Sequence, residues 1–300
     1  MLDRGSIRVA DAHIHFFSYH FLELMSKQAE LDVADAILRL PDWEIPPPDP
    51  EALADHWVDE LDRCQVDRAA LIASAPGDVM SVAAAIDRAP ARFVGYFMYD
   101  PTRFVIGDTK ALDAGLRCVA LFPSLHGYDA ADSRAHFIVD QVAKRPGTAV
   151  FVHCGLLSIG IRKKLGMKSD FDLEHSNPLA VQKLARRHPH LPFIIPHFGS
   201  GYFREALMVA SSTPNIYLDT SSSNKWMAIE GLTLKQVFAR ALEVVGAERL
   251  LFGTDSSFFP RGWNETIFDA QLGVLKDLDV RKQDIDAIFH GNFQRIFHLG

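Results

Sequence analysis

Residues Val9–Phe16 read Val-Ala-Asp-Ala-His-Ile-His-Phe. A short β-compatible run carries two histidines two positions apart and ends in aromatic residues. The period of a strand puts His13 and His15 on one face, with Asp11 on that same face one step deeper. By itself a His-x-His pair also fits two core histidines bonded to backbone. The pattern recurs down the chain. His153 stands in VFVHCG, His197 in FIIPHFG and Asp255 in LLFGTDSSF, each in or just after a short apolar run that breaks at a turn residue. Potential metal ligands at the ends of successive strands point to one site assembled from distant segments, as in a barrel whose chemistry lies at the C-terminal ends of its strands.

Working outward, strand-like runs lie at Val9–His15, Ala69–Ser74, Phe93–Tyr99, Cys118–Phe122, Ala149–His153, Phe193–His197, Ile216–Asp219 and Leu250–Gly253. Helical patterns separate them: one opened by Pro50-Glu51 with Leu53, Trp57 and Leu61, then Asp78–Ala89, Ser133–Lys144, a segment started by Asn177-Pro178 with Pro178 in its first turn, Leu234–Val245, Glu265–Leu278 and a closing Asp284–Phe297. Such alternation predicts an α/β fold, a (β/α)8 TIM barrel formed by one domain over residues 1–300. An open doubly wound sheet is the second choice, but no GxGxxG or GxxxxGK[ST] turn is present to support it. The segment 18–50, ending in Pro46-Pro47-Pro48-Asp49-Pro50, interrupts the rhythm after the first strand. It is an insertion that reads either as a lid or as a decoration packed on the barrel mouth.

Composition narrows the function classes. The chain has 300 residues, 48% of them hydrophobic, and a net charge of −7, with no long basic run, so nucleic acid is not an expected partner. Three cysteines with no CxxC pair argue against a disulfide framework. No leader-like or membrane-spanning stretch is visible, and a cytoplasmic protein is expected. A homodimer is compatible with the sequence, which offers no direct evidence for one.

Three imidazoles and a carboxylate, His13, His15, His153 and Asp255, make a reasonable shell for one catalytic divalent metal, with zinc the best fit to so many nitrogen donors. His197 is either a further ligand or a base near the metal. Cys154 follows His153 directly, so a strand would point it to the opposite face. For a small-molecule substrate, His126 after the fourth strand, Arg162 after the fifth, Lys225 after the seventh and Arg261 after Asp255 are the candidate contacts, the cations suiting a carboxylate.

The motifs DAHIHF, VFVHCG, IIPHFGSGYF, NIYLDTSS, LLFGTDSSF and GNFQRIFHL, in this order, resemble the amidohydrolase superfamily. The resemblance is greater to its amidohydrolase-related branch, which includes aminocarboxymuconate-semialdehyde decarboxylase-like enzymes, and it runs from Asp11 to Leu299. It implies a barrel with one metal held by His13, His15, His153 and Asp255, and His197 as the group that activates water or substrate. The carboxylated lysine of dinuclear members has no counterpart in the fourth strand, CVALFPSLHG, which implies a mononuclear site. The expected activity is hydrolysis of a small carboxylated, lactone, ester or amide substrate. The same ligands would serve non-oxidative decarboxylation of an unsaturated or aromatic acid. A non-catalytic ligand-binding barrel is the alternative outside enzymology, and a metal-free serine or cysteine hydrolase is disfavoured by the absence of GxSxG.

Overall fold

A computed structural model describes residues 7–103, 110–169, 171–221 and 225–299. Residues 1–6, part of the stretch read for a leader, and Ser222 at the end of NIYLDTSS lie outside them.

Eight parallel strands lie in the order of the chain: β1 Ala10–His15, β2 Arg68–Ala73, β3 Phe93–Tyr99, β4 Cys118–Leu121, β5 Ala149–Val152, β6 Phe193–Ile195, β7 Ile216–Asp219 and β8 Leu250–Leu251. Each expected strand is present, most of them a residue or two shorter at the end that carries chemistry. The shortening has a physical cause: the ligand-bearing positions leave the ladder for turns. β8 closes on β1 through an isolated bridge between Ile14 and Ser256. Three backbone bonds reinforce that seam, from Ala12 N to Phe252 O, His15 N to Ser256 O and Asp255 N to His13 O. The fold is a (β/α)8 TIM barrel.

Period-two alternation divides the strands between two cores. Ala70, Ile72, Tyr96, Met98, Ala120 and Phe151 fill the barrel interior. Leu71, Phe97, Val119, Val152 and Leu218 face the surrounding helices. Phe293, Ile296 and Phe297 of the last helix join the interior cluster and plug one end of the barrel. Asn292 anchors that helix by donating through Nδ2 to Ala247 O and Leu250 O, both at 2.7 Å.

Two local readings are corrected. The pairing of β1 with β2 shifts between Asp11 and Ile14. Ala10 and Ala12 therefore point into the barrel while Ile14 points out. The bulge reverses parity, so Asp11 does not share the face of His13 and His15. It is buried on the outer side, where its carboxylate accepts from Thr254 Oγ1 at 2.5 Å, Trp263 Nε1 at 2.8 Å and the His13 amide at 2.8 Å. Burial, offset by these bonds, raises its pKa to about 6. In the second correction, a helix absent from the sequence reading, Phe203–Ser212, connects β6 to β7.

The insertion forms α1 Tyr19–Gln28 and α2 Val33–Leu38, followed by α3 Pro50–Arg63. Phe21, Leu22, Met25, Ala36 and Leu40 make a separate apolar cluster with Ala75, Ile161 and Leu165 from loops at the barrel mouth. The insertion is thus packed on the mouth. Ser18 caps α1 by accepting from Phe21 N at 2.9 Å, and it donates to the buried Asp78 carboxylate at 2.9 and 3.0 Å.

Candidate metal centre

The ends of β1 and β8 bring three ligand atoms into mutual contact. His13 Nε2 lies 3.4 Å from His15 Nε2 and 3.4 Å from Asp255 Oδ1, and His15 Nε2 lies 3.2 Å from the same oxygen. Donors held about 2.0–2.1 Å from one ion at tetrahedral angles sit roughly 3.3–3.4 Å apart, so the triangle fits a zinc-sized ion.

The surrounding hydrogen bonds sharpen this fit. His13 Nδ1 lies 2.6 Å from Asp219 Oδ2 at the end of β7. An ionised carboxylate only accepts, so Nδ1 carries the proton and Nε2 keeps its lone pair. Ser74 Oγ donates to Ile72 O at 3.0 Å and hence accepts from His15 Nδ1 at 2.7 Å, which leaves His15 Nε2 without a proton as well. With both rings neutral, two imine nitrogens and a carboxylate oxygen face one another, an arrangement that favours a shared positive charge, whether proton or metal ion. The pKa of His13 reflects the same demand. Burial opposes its charged form, yet the Asp219 carboxylate outweighs burial and raises the value to about 9. Asp255 is held far below the usual carboxylate range: burial opposes this, but the His15 hydrogen bond and then the positive character of His13 prevail.

His197 lies beside this triangle, its ring centroid 4.9 Å from that of His13. Its Nδ1 is 3.0 Å from the carbonyl of Ser221, which can only accept, so Nε2 is the free basic atom. Burial lowers its pKa and favours the neutral ring. His153 stands outside the close group formed by His13, His15 and Asp255. Its ring meets His197 edge-on at 5.3 Å and stacks on Phe122 at 5.3 Å, and its Nδ1 is buried with no partner. Burial, and then the nearby His197, push its pKa well below the ordinary value. Cys154 faces the outer core, away from His153.

Backbone conformation is unusual at the same places. His197 and Asp255 both adopt left-handed φ, 55° and 57°, which costs of order 1 kcal/mol or more per non-glycine residue. Gly253 makes the seam possible: a Cβ there would lie 2.7 Å from Asp219 Oδ1 and 3.0 Å from His13 Cβ.

These groups open into a cavity of about 1100 Å3 lined by His15, His153, His197 and Asp255. His126, Arg162 and Arg261 also line it, and Lys225 does not. Lys225 is exposed beside a four-residue helix, Trp226–Ile229. Arg162 is engaged with Gln28 Oε1 at 3.1 Å and with the Lys168 carbonyl at 3.2 Å. His126 is half-buried, with Nδ1 3.9 Å from Asp100 Oδ1. Asp219, Ser74 and Ser221 are the polar groups that orient the site and that the sequence reading did not single out. The one available signal was a carboxylate ending the seventh strand, in YLDTS.

A parallel barrel with histidines and a carboxylate gathered at its C-terminal mouth defines a metal-site TIM barrel. The chain belongs to the amidohydrolase family, whose model matches residues 10–299. That family is metal-dependent, and His13, His15 and Asp255 form a group that could hold a metal ion. The protein fluG of Emericella nidulans is 34% identical over 143 residues, which is 44% of this chain and 16% of that protein. The chain therefore spans only a small part of the length of that relative. Among solved structures, an uncharacterized TIM-barrel protein of Bordetella bronchiseptica superposes with a TM-score of 0.67 at 19% identity, covering 98% of this chain and 99% of the other. A candidate 2-pyrone-4,6-dicarboxylic acid hydrolase of Pseudomonas putida gives 0.62 at 17% identity and 98% coverage of both chains. No helix among the described residues is long and apolar enough to cross a membrane.

Proposed function

We propose that this chain hydrolyses a small carboxylated substrate at a lactone, ester or amide bond, using one divalent metal held by His13, His15 and Asp255, with His153 completing the shell. The observation that carries this reading is the triangle of two imidazole nitrogens and a carboxylate oxygen at 3.2–3.4 Å. A bound divalent ion supplies Lewis-acid polarisation of a carbonyl and lowers the pKa of water at the site. Zinc suits the nitrogen-rich donor set best.

The residues divide the remaining work. Asp219 and Ser74 fix the tautomers of His13 and His15. His197, with Nδ1 tied to Ser221 O, offers Nε2 to take a proton from the attacking water. The Asp255 carboxylate, partly open to the cavity, accepts a second hydrogen bond from that water, and the protonated His197 then hands its proton to the leaving group. The cavity wall carries Arg103, Arg162, Lys164, Lys168 and Arg261 against Glu30, Asp100 and Asp255. That excess of positive charge, in a chain of net charge −7, favours an anionic substrate. The fold shared with a candidate pyrone-dicarboxylate hydrolase agrees with a cyclic ester as the bond attacked.

The test is elemental analysis of protein purified without added metal or chelator, followed by turnover of a panel of carboxylated lactones, esters and amides. About one zinc-group ion per chain and ring opening of a lactone are expected. Absence of metal together with no activation by added metals would refute the reading, and so would carbon dioxide release from an unsaturated acid with no hydrolysis of any panel member.

A further inference from the structure

Arg261 occupies a particular position among the cations of the cavity. Its Nη2 donates to the backbone carbonyl of Asp255 at 3.0 Å and to Ser257 Oγ at 2.8 Å. Its guanidinium carbon lies 4.9 Å from the centroid of the Phe258 ring. These contacts fix the guanidinium one turn beyond Asp255 and leave Nε and Nη1 without a hydrogen-bonded partner among the described residues. Arg162, by contrast, already spends its nitrogens on Gln28 and Lys168.

Phe258 is itself the end of a ladder of rings. Phe21 stacks on Phe17 at 4.3 Å, Phe17 on Trp43 at 5.5 Å and Trp43 on Phe258 at 4.3 Å, with interplanar angles of 8°, 15° and 12°. Trp43 comes from the insertion, Phe17 follows His15, and Phe258 follows Asp255. The indole therefore clasps residues from both sides of the seam that carries the ligand triangle. Glu44 N, next to it, donates to Phe259 O at 2.8 Å and ties the insertion to the same loop.

We propose that Arg261 is the anchor for a substrate carboxylate and that Trp43 is a positioning residue that holds it there through Phe258. The proposal rests on the hydrolase reading above and names the part of the substrate that reading leaves open: a carboxylate placed next to the metal ligands, so that the scissile carbonyl lies within a bond or two of it. A guanidinium fixed by ring contact and two acceptors presents its remaining N–H groups and its charge at a set place beside Asp255, which suits a carboxylate better than a neutral amide.

The test titrates metal-loaded protein with benzoate and with neutral benzamide by calorimetry, alongside elemental analysis of every variant. Wild type is expected to prefer benzoate. Arg261→Gln is expected to weaken benzoate at least about tenfold with benzamide unchanged and metal content unchanged, and Arg261→Lys to retain part of the preference. Trp43→Ala is expected to weaken benzoate several-fold and Trp43→Phe to restore it, which a merely structural role for the indole would not produce together with unchanged benzamide binding. Unaltered benzoate affinity in Arg261→Gln would overturn the anchor, and unaltered affinity in Trp43→Ala would overturn the positioning role. Loss of benzoate in Arg261→Gln when wild type itself carries no metal would uphold the anchor and defeat the metal reading, so the two fail separately.

Discussion

Asp219→Asn is the most searching perturbation of the metal centre, because it keeps the shape of the side chain and changes only its hydrogen-bond capacity. In the native chain one carboxylate oxygen accepts from Ser221 N at 2.6 Å and the other from His13 Nδ1 at 2.6 Å. An asparagine has one acceptor for these two donors. The backbone N–H of Ser221 cannot change, so it keeps the amide oxygen, and the NH2 group is turned on His13. The imidazole then either retains Nδ1–H against a buried donor or moves its proton to Nε2, the atom that points at Asp255 and His15. Opposed buried donors cost about 2–3 kcal/mol, which corresponds to roughly 30- to 150-fold in affinity. That range overlaps the 10- to 100-fold typical of outer-sphere substitutions at metal sites. Zinc affinity measured by competition with a chromophoric chelator should fall by this factor while far-UV dichroism is unchanged. Asp219→Ala, which can admit a water able to accept from both donors, should be no worse than the isosteric asparagine. Zinc affinity within threefold of wild type in a folded Asp219→Asn protein would refute the tautomer argument.

Asp255→Asn should lower turnover at least about a hundredfold with the fold intact, since asparagine tolerates the left-handed backbone at φ 57° but offers a weaker ligand and no base; near-normal turnover would remove Asp255 from the mechanism. Burial lowers the pKa of His197 below its ordinary value, so the base stays neutral as pH falls through 7. The pH profile of kcat/KM should accordingly hold level to below about 6.5 before dropping on the acid side, and an acid limb centred above 7 would contradict it. Asp78 is buried with a pKa raised to about 6 from 3.8, so its protonated form is the one the fold favours. Its stabilising contribution is complete below about pH 4 and is lost as pH rises to about 6, a change of about 2–3 kcal/mol that should show in denaturant titrations at pH 4.5 and 7 and that Asp78→Asn should remove, leaving the similar share of Asp11. Gly253→Ala places a Cβ 2.7 Å from Asp219 Oδ1 and 3.0 Å from His13 Cβ, and should reduce both thermal stability and zinc affinity, whereas loss of stability alone would mean that the seam relaxes without disturbing the ligands.

Much of this arrangement is legible in the chain. His-x-His in β1 and the GTD turn after β8 are seen to converge because strand ends in a parallel barrel share one mouth. The polar groups behind the ligands are harder to read. Asp219 ends a strand before Thr-Ser-Ser, a pattern that serves equally as a turn or a helix cap, and Ser74 and Ser221 are common residue types whose roles depend on which strand lies beside them. Asp11 defeats period-two reasoning because a bulge, invisible in DAHIHF, reverses the parity between Ala12 and Ile14. Lys225 and Arg162 have the charge expected of substrate contacts. The structure leaves Lys225 out of the cavity wall and spends Arg162 on Gln28 and Lys168. The helix Phe203–Ser212 escaped notice because Gly199-Ser-Gly, immediately before it, reads as loop and its apolar face is partly alanine.

The bulge and the seam belong to one explanation. A regular β1 would send Asp11, His13 and His15 all inward, and a full ladder with β8 would carry Asp255 along an extended strand. Instead β8 keeps two residues in the ladder, Gly253 admits close approach, and Asp255 turns back in the left-handed region to meet His13 and His15. Asp11, displaced outward by the bulge, binds Thr254 and Trp263 and so holds the loop that presents Asp255. The bulge, the short β8 ladder and the left-handed Asp255 thus coincide at the closure of the barrel, where a missing ladder bond breaks no pairing within the other strands. That is also the place where the insertion sets Trp43 across the joint. A site built on the weakest line of the sheet depends on what clamps that line from above, which is why the aromatic ladder and the metal ligands are best regarded as one structural unit.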